Sequence, residues 1–221
     1  MSKKLVLIGA GEFALIAYQY FTFDSDYEVV GFAVEKDYLK DQTLEGLPVV
    51  PYEELEIHFP AINHHFFVAI PASKMNSVRK RFYTELKERG CTLASYVSSN
   101  AFVWRNAKVG ENTFIFENNV IQPYVSIGNN CILWSGNHIG HRTVIQDHAF
   151  LASHVVVSGY CTIGESAFLG VNATLNDHIT IGALALVGSG ALVAKSVEPE
   201  RIVVGSPARP VPGKSSLDTD I

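Results

Sequence analysis

Ile121-Gln-Pro-Tyr-Val-Ser-Ile127-Gly-Asn-Asn-Cys-Ile-Leu133 places an aliphatic residue at every sixth position. The rule runs outward in both directions, through Ile115, Val109 and Val103 on one side and Ile139, Ile145, Leu151, Val157, Ile163, Leu169, Leu175, Ile181, Val187 and Val193 on the other. A period of six suits neither an α-helix nor a simple alternating strand. It suits a coil whose triangular turn consumes three hexapeptides, each sending one aliphatic side chain inward. Two further columns keep the same period. Gly follows the aliphatic residue at Gly110, Gly128, Gly140, Gly164, Gly170, Gly182 and Gly188. Four positions after the aliphatic residue the chain uses Ala, Thr, Val or Cys, the misfits being Asn119, Asn137 and Ile179. Small residues fit tight corners, and Gly tolerates backbone that other residues resist.

The first ninety residues follow another grammar. Lys4-Leu-Val-Leu-Ile8 reads as a buried strand, and Gly9-Ala-Gly-Glu-Phe-Ala14 follows it at once, opening a helix through Tyr20. Tyr27 to Val34 reads as a second strand ending at Glu35, and Phe66 to Ile70 as a third. Pro71 is expected to open a helix with Met75, Val78, Phe82 and Leu86 on one face, stopped by Gly90. Thr92 to Val97 reads as one more strand, and Ser98-Ser-Asn100 hands over to the repeats. This order predicts a small parallel α/β domain. The glycine turn has the form of a phosphate-binding loop, whose following helix presents unpaired N–H groups to an anion. Glu35 stands where a carboxylate accepts from a ribose or sugar hydroxyl. Ninety residues supply half of a dinucleotide-binding sheet, which favours a nucleotide-sugar over NAD.

The chain has 221 residues and a formal net charge of −5, with no Lys/Arg stripe, which argues against nucleic acid as a partner. Arg79, Lys80 and Arg81 read as the solvated face of a helix. No signal peptide and no apolar run of spanning length is evident, so a cytoplasmic location away from membranes is expected. Cys91, Cys131 and Cys161 lack metal-ligand spacing and read as reduced, buried thiols. The polar tail from Gly213 is expected to fray.

Taken together, the strand–GAGEFA–helix opening, Phe67-Val-Ala-Ile70, the repeats and Val204-Gly-Ser-Pro-Ala-Arg209 resemble the hexapeptide-repeat sugar acyltransferases, related to bacterial UDP-4-amino-sugar N-acetyltransferases and sialic acid O-acetyltransferases. The resemblance implies a Rossmann-like nucleotide-sugar-binding domain at residues 1–98, a left-handed parallel β-helix at 99–213 and a polar tail at 214–221. Handedness is an implication of the resemblance, since periodicity does not reveal it. It further implies a homotrimer with acetyl-coenzyme A in clefts between β-helices, no metal, and acetylation of a nucleotide-linked amino sugar for surface polysaccharide or glycan biosynthesis. The family's base aligns with His141. Coenzyme contacts align with Phe150, Gly159, Val171 and Ser189, and nucleotide-sugar contacts with Gly11, Glu12, Phe13, Glu35, Lys36 and Pro71. A backbone N–H near Gly159 is expected to stabilise the oxyanion. One departure stands out: the compared N-acetyltransferases follow the histidine with an acidic residue, and here Arg142 follows. A neighbouring cation would weaken the base; otherwise Arg142 would hold a phosphate or substrate carboxylate, or simply point into solvent. His138 competes with His141 as the base, with a surface or inter-subunit hydrogen bond as its simpler role.

Three alternatives remain at this level: O-acetylation of a sugar hydroxyl, a zinc lyase of the γ-carbonic-anhydrase type, and a non-catalytic nucleotide-sugar-binding trimer. Zinc requires three converging imidazoles. His148, His154 and His178 hold equivalent hexapeptide positions, but no separation among them is a multiple of eighteen.

Overall fold

The computed structural model describes residues 2–219. Contacts divide it into two units, one comprising the chain up to Pro71 together with Val78–Tyr96, the other Ala72–Ser77 with the chain from Val97 onward.

In the first unit, β1 (Lys3–Ile8), α1 (Glu12–Phe23), β2 (Tyr27–Val34), β3 (Thr43–Leu44), β4 (Leu47–Pro51), α2 (Leu55–His58), β5 (His65–Val68), α3 (Ser77–Glu88) and β6 (Thr92–Leu93) follow in chain order. The sheet order is β3-β4-β2-β1-β5-β6, parallel except for the β3–β4 hairpin. Leu5, Leu7, Val6 and Ile8 of β1 are all fully buried, as expected of a central parallel strand covered on both faces. Gly9 ends β1 at φ +122°, and an added Cβ there would lie 2.8 Å from the Ala69 carbonyl oxygen. The turn therefore requires glycine at that position.

Pro71 does not open α3. Lys74, Met75 and Asn76 take left-handed φ values of 50°, 50° and 66°, and the helix begins only at Ser77. Met75 leaves the expected helix face and packs with Leu186 and Ile202, while Asn76 donates to the Ser166 carbonyl at 3.0 Å. These buried contacts hold a conformation that non-glycine residues resist. The solvated-face reading of Arg79 is also corrected. Its side chain is fully buried, and Nη1 donates to the Pro71 carbonyl at 2.8 Å.

The second unit stacks two-residue strands in parallel at intervals of eighteen residues. Phe102–Val103, Val120–Ile121, His138–Ile139 and Val156–Val157 lie in register on one face, and Ser126–Ile127, Val144–Ile145 and Thr162–Ile163 on another. These are faces of a left-handed parallel β-helix. The aliphatic residues from Ile115 to Val193 form one continuous buried column. Truncating a fully buried member, such as Leu151→Ala, costs about 2–5 kcal/mol.

The glycine column has a different cause from the one expected. Left-handed φ falls two residues later, on Tyr124, Asn130, Arg142, His148, His154, Tyr160 and their equivalents. The glycines are needed because successive coils touch: a Cβ on Gly140 would stand 2.5 Å from the Ser158 carbonyl carbon, and one on Gly170 would stand 2.6 Å from Ser189 N. The misfits Asn119 and Asn137 are fully buried and use their amides on backbone. Asn119 donates to Phe116 and Trp134 carbonyls, and Asn137 accepts from Val155 N–H at 2.7 Å. Each buried amide is anchored by these backbone bonds, although Asn119 Oδ1 has no partner.

All three cysteines are free and buried. The tail does not fray from Gly213. Arg209–Ser215 pairs antiparallel with Arg201–Val204, and Ser216 is buried with its hydroxyl on the Leu184 carbonyl. Asp220 and Ile221 of the expected tail lie outside the described residues. Among the described residues no helix is long and apolar enough to cross a membrane.

Candidate active site

His141 sits at an exposed corner of the β-helix, two residues past the inward Ile139. Its ring lies against Gly159, one coil further along: a Cβ on Gly159 would be 2.6 Å from Cε1 and 2.9 Å from Nε2. Glycine at 159 is thus what gives the imidazole its place. On the other side, Gln122 Oε1 accepts from His141 N–H at 2.8 Å and stands 3.3 Å from Nδ1. Tyr160 meets the imidazole edge-on, with centroids 5.1 Å apart, and stacks on His178 at 4.9 Å.

Arg142 does not stand as an isolated cation beside the imidazole. Its guanidinium lies over the Tyr124 ring, 4.5 Å from the centroid, and 6.0 Å from that of Tyr160. Tyr124, Arg142, Tyr160 and His178 are spaced by eighteen residues and form a ladder along this corner. The ladder follows from the coil period and from left-handed φ values of 64°, 58°, 58° and 60°, which swing all four side chains outward. No carboxylate pairs with Arg142 among the described residues.

The oxyanion donor expected near Gly159 is already occupied. Gly159 N–H donates to Asp177 Oδ1 at 2.9 Å, Ser158 N–H to the Leu175 carbonyl at 3.2 Å, and Tyr160 N–H to the His141 carbonyl at 2.9 Å. Asp177 stacks eighteen residues beyond Gly159, where a short acceptor reaches the corner amide of the preceding coil. The same device joins Asp147 to Asn129 N–H and Asn129 to Glu111 N–H.

The residues aligned with coenzyme contacts do not converge within one chain. Val171 and Ser189 stack at one corner, both exposed, while Gly159 belongs to the corner of His141. Phe150 lies on a face, 7% exposed, stacked on Phe168 at 5.2 Å. His138 is half-buried on the strand preceding His141 and makes parallel pairs with Val120 and Val156. His148, His154 and His178 lie at three different corners. His148 is buried against Asn130, and His154 packs on Gly136. Among the described residues no three His, Cys, Asp or Glu side chains converge as a metal site would require.

In the first unit, Gly11 is the N-cap of α1, and no side chain caps the helix there. A Cβ on Gly11 would meet nothing within 4 Å, so neither packing nor φ demands glycine there. A cavity of about 250 Å³ adjoins it, lined by Ala10, Gly11, Val34, Tyr38, Lys40, Asp41, Thr43, Leu44 and Val49. Glu12 is exposed, whereas Phe13 is 5% exposed and packs on Phe67, leaving only its backbone for a ligand. Glu35 pairs with Arg81 at 2.9 Å, and Lys36 N–H donates to the Glu53 carboxylate at 3.2 Å. Pro71 is exposed and offers its carbonyl to Arg79. Of the six aligned positions, Gly11 alone lines the cavity. Tyr38, Lys40, Asp41 and Thr43 escaped the sequence reading because they lie on the connection from β2 into the two-residue strand β3, too short to carry a periodic signal. Gln122 escaped it too, although the coil period could have found it. It precedes His141 by one coil plus one residue, which sets it on the neighbouring turn at the same corner.

The bacterial transferase hexapeptide family (six repeats) matches residues 106–141 and 125–159. The match lies within the coils of the second unit and is confined to residues 106–159. No curated protein matches the chain. Among solved structures, this chain is similar to the acetyltransferase domain of PglB from Neisseria gonorrhoeae FA1090, with 21% identity, a TM-score of 0.85, and 95% of this chain and 100% of that one covered. It is similar to PerB from Caulobacter crescentus, solved with CoA and GDP-perosamine, with 24% identity, a TM-score of 0.85, and 94% and 97% covered. It is also similar to WeeI from Acinetobacter baumannii AYE, with 26% identity, a TM-score of 0.80, and 95% and 100% covered. These likenesses establish the two-part fold.

Proposed function

We propose that this protein transfers an acetyl group from acetyl-coenzyme A to the amine of a nucleotide-linked amino sugar. The observation that carries the reading is the exposed imidazole of His141, seated on Gly159 and held from behind by Gln122. The likeness to PerB, solved with CoA and GDP-perosamine, supports it. In this reading the glycine turn and the cavity beside Gly11 take the nucleotide, whose phosphates meet the N-terminus of α1. The β-helix takes the coenzyme, with Gly159, Val171, Ser189 and Phe150 as its contacts.

His141 Nε2 accepts a proton from the acceptor amine as nitrogen attacks the thioester carbonyl. The tetrahedral intermediate then expels the coenzyme thiolate, which recovers the proton from the imidazolium, so the enzyme ends unchanged. No cysteine is needed as a nucleophile. Because Gly159 N–H is bonded to Asp177, that amide is not assigned to the oxyanion.

We propose a trimer with coenzyme clefts between subunits. Support comes from the dispersal of the aligned coenzyme positions over two corners and a face, and from the apolar face that carries His138. There Phe102 is 53% exposed, and Trp104 and Val156 are each 39% exposed. Closed cyclic symmetry would give three equivalent sites. A stable, fully active monomer by light scattering would remove the shared cleft.

The test of the activity is release of free thiol from acetyl-coenzyme A in the presence of a panel of nucleotide-linked 4-amino sugars. His141→Asn should bind both substrates while kcat falls about 10²–10⁴-fold, the range for losing general-base assistance. Near-normal turnover in that variant would sink the base assignment.

A further inference from the structure

We infer that Gln122 is the positioning residue that fixes the tautomer of His141, in the role an acidic neighbour would otherwise fill. The inference rests on His141 being the base. A backbone N–H is an obligatory donor, and that of His141 lies 2.8 Å from Gln122 Oε1. This contact decides which way the amide faces, because the opposite orientation would set an NH₂ group against an N–H. The same oxygen stands 3.3 Å from His141 Nδ1. An amide oxygen only accepts, so a neutral imidazole bonded to it carries its proton on Nδ1. Nε2 is then left with its lone pair free, on the side of the ring that lies over Gly159. The order of causes runs from backbone amide to side-chain amide to imidazole, and no carboxylate enters it.

A second glutamine supplies the control. Gln146 stands in the same column and accepts from Glu165 N–H at 3.0 Å, across the same nineteen residues, but the residue it holds is not a histidine. Gln146→Leu therefore removes the same corner bond without touching an imidazole. Any consequence specific to the tautomer must separate the two variants.

The first measurement needs no substrate: ¹⁵N-labelled histidine, with His141 assigned by its disappearance in His141→Asn, shows which ring nitrogen is protonated. The wild type should carry the proton on Nδ1, Gln122→Leu should become a mixture of tautomers, and Gln146→Leu should match the wild type. A proton on Nε2 in the wild type overturns the inference, as does an unchanged Nδ1–H in Gln122→Leu. In the transfer assay, Gln122→Leu should lower kcat/KM about 3- to 10-fold, the scale of one neutral hydrogen bond, with acetyl-coenzyme A KM unchanged. Gln122→Glu should recover turnover and move the acidic limb of the profile to higher pH, because a carboxylate stabilises the imidazolium. Equal losses in Gln122→Leu and Gln146→Leu would reduce Gln122 to a corner bond and overturn the role. If the wild type transfers no acetyl group but the tautomer still depends on Gln122, the proposed activity fails and the positioning stands.

Discussion

Gly159→Ala is the most direct test of how the β-helix builds its site. The added methyl would sit 2.6 Å from His141 Cε1, 2.9 Å from Nε2 and 3.1 Å from Nδ1. Ordinary contact begins near about 3.5 Å, so the ring must retreat by about 0.9 Å. Backbone strain adds nothing, since Gly159 is not among the residues with positive φ. The obstructing atoms belong to an exposed side chain that can swing outward, at a cost of about 0.5–1.5 kcal/mol for leaving its rotamer. The fold should therefore survive with a small change in Tm. Catalysis should not, because a displacement of about 1 Å of a reacting group costs roughly 10²-fold in rate. The assay is kcat at saturating acetyl-coenzyme A and acceptor, beside a thermal melt. A variant with wild-type kcat and wild-type Tm would refute the packing of imidazole on glycine as the device that places the base. A collapsed fold would refute the argument that the clash is relieved outward.

Gly11→Val should raise acceptor KM about tenfold or more while leaving coenzyme binding and Tm nearly unchanged. The new side chain enters open space and meets only a ligand, and loss of coenzyme binding instead would reverse the assignment of the two sites. Arg142→Gln should raise acceptor KM about tenfold with the pH limb unmoved, because the aromatic ladder holds a guanidinium edge free for an anion; a shifted limb with unchanged KM would refute this. His65 has its pKa lowered by burial and then by Lys3, so the unfolded chain takes up the proton more readily. Its contribution to stability is whole above the ordinary value of 6.5 and is lost as pH falls through the lower folded value. Melts between about pH 8 and pH 5 should show His65→Phe losing less stability than the wild type on acidification, and parallel curves would exclude His65.

The repeat was legible in the sequence because a period of six leaves no other way to bury one aliphatic residue in each hexapeptide. The eighteen-residue coil then turned sequence distance into spatial distance, which is how Gly159 could be placed beside His141 without coordinates. The glycine turn at Gly9 and Gly11 was legible for a similar reason, since its chemistry is local. What escaped depends on which groups meet across elements. Met75 has the right spacing for the face of α3, yet three left-handed residues turn it toward Leu186 and Ile202. Arg79 looked solvated beside Lys80 and Arg81, but the segment that follows the preceding strand offers it the Pro71 carbonyl. The columnar glycines looked like conformational necessities and proved to be points where the next coil leaves no room for a methyl group. The tautomer of His141 was equally out of reach. It follows from one amide oxygen shared between a backbone N–H and a ring nitrogen, a coincidence of directions that residue types and spacing alone do not encode.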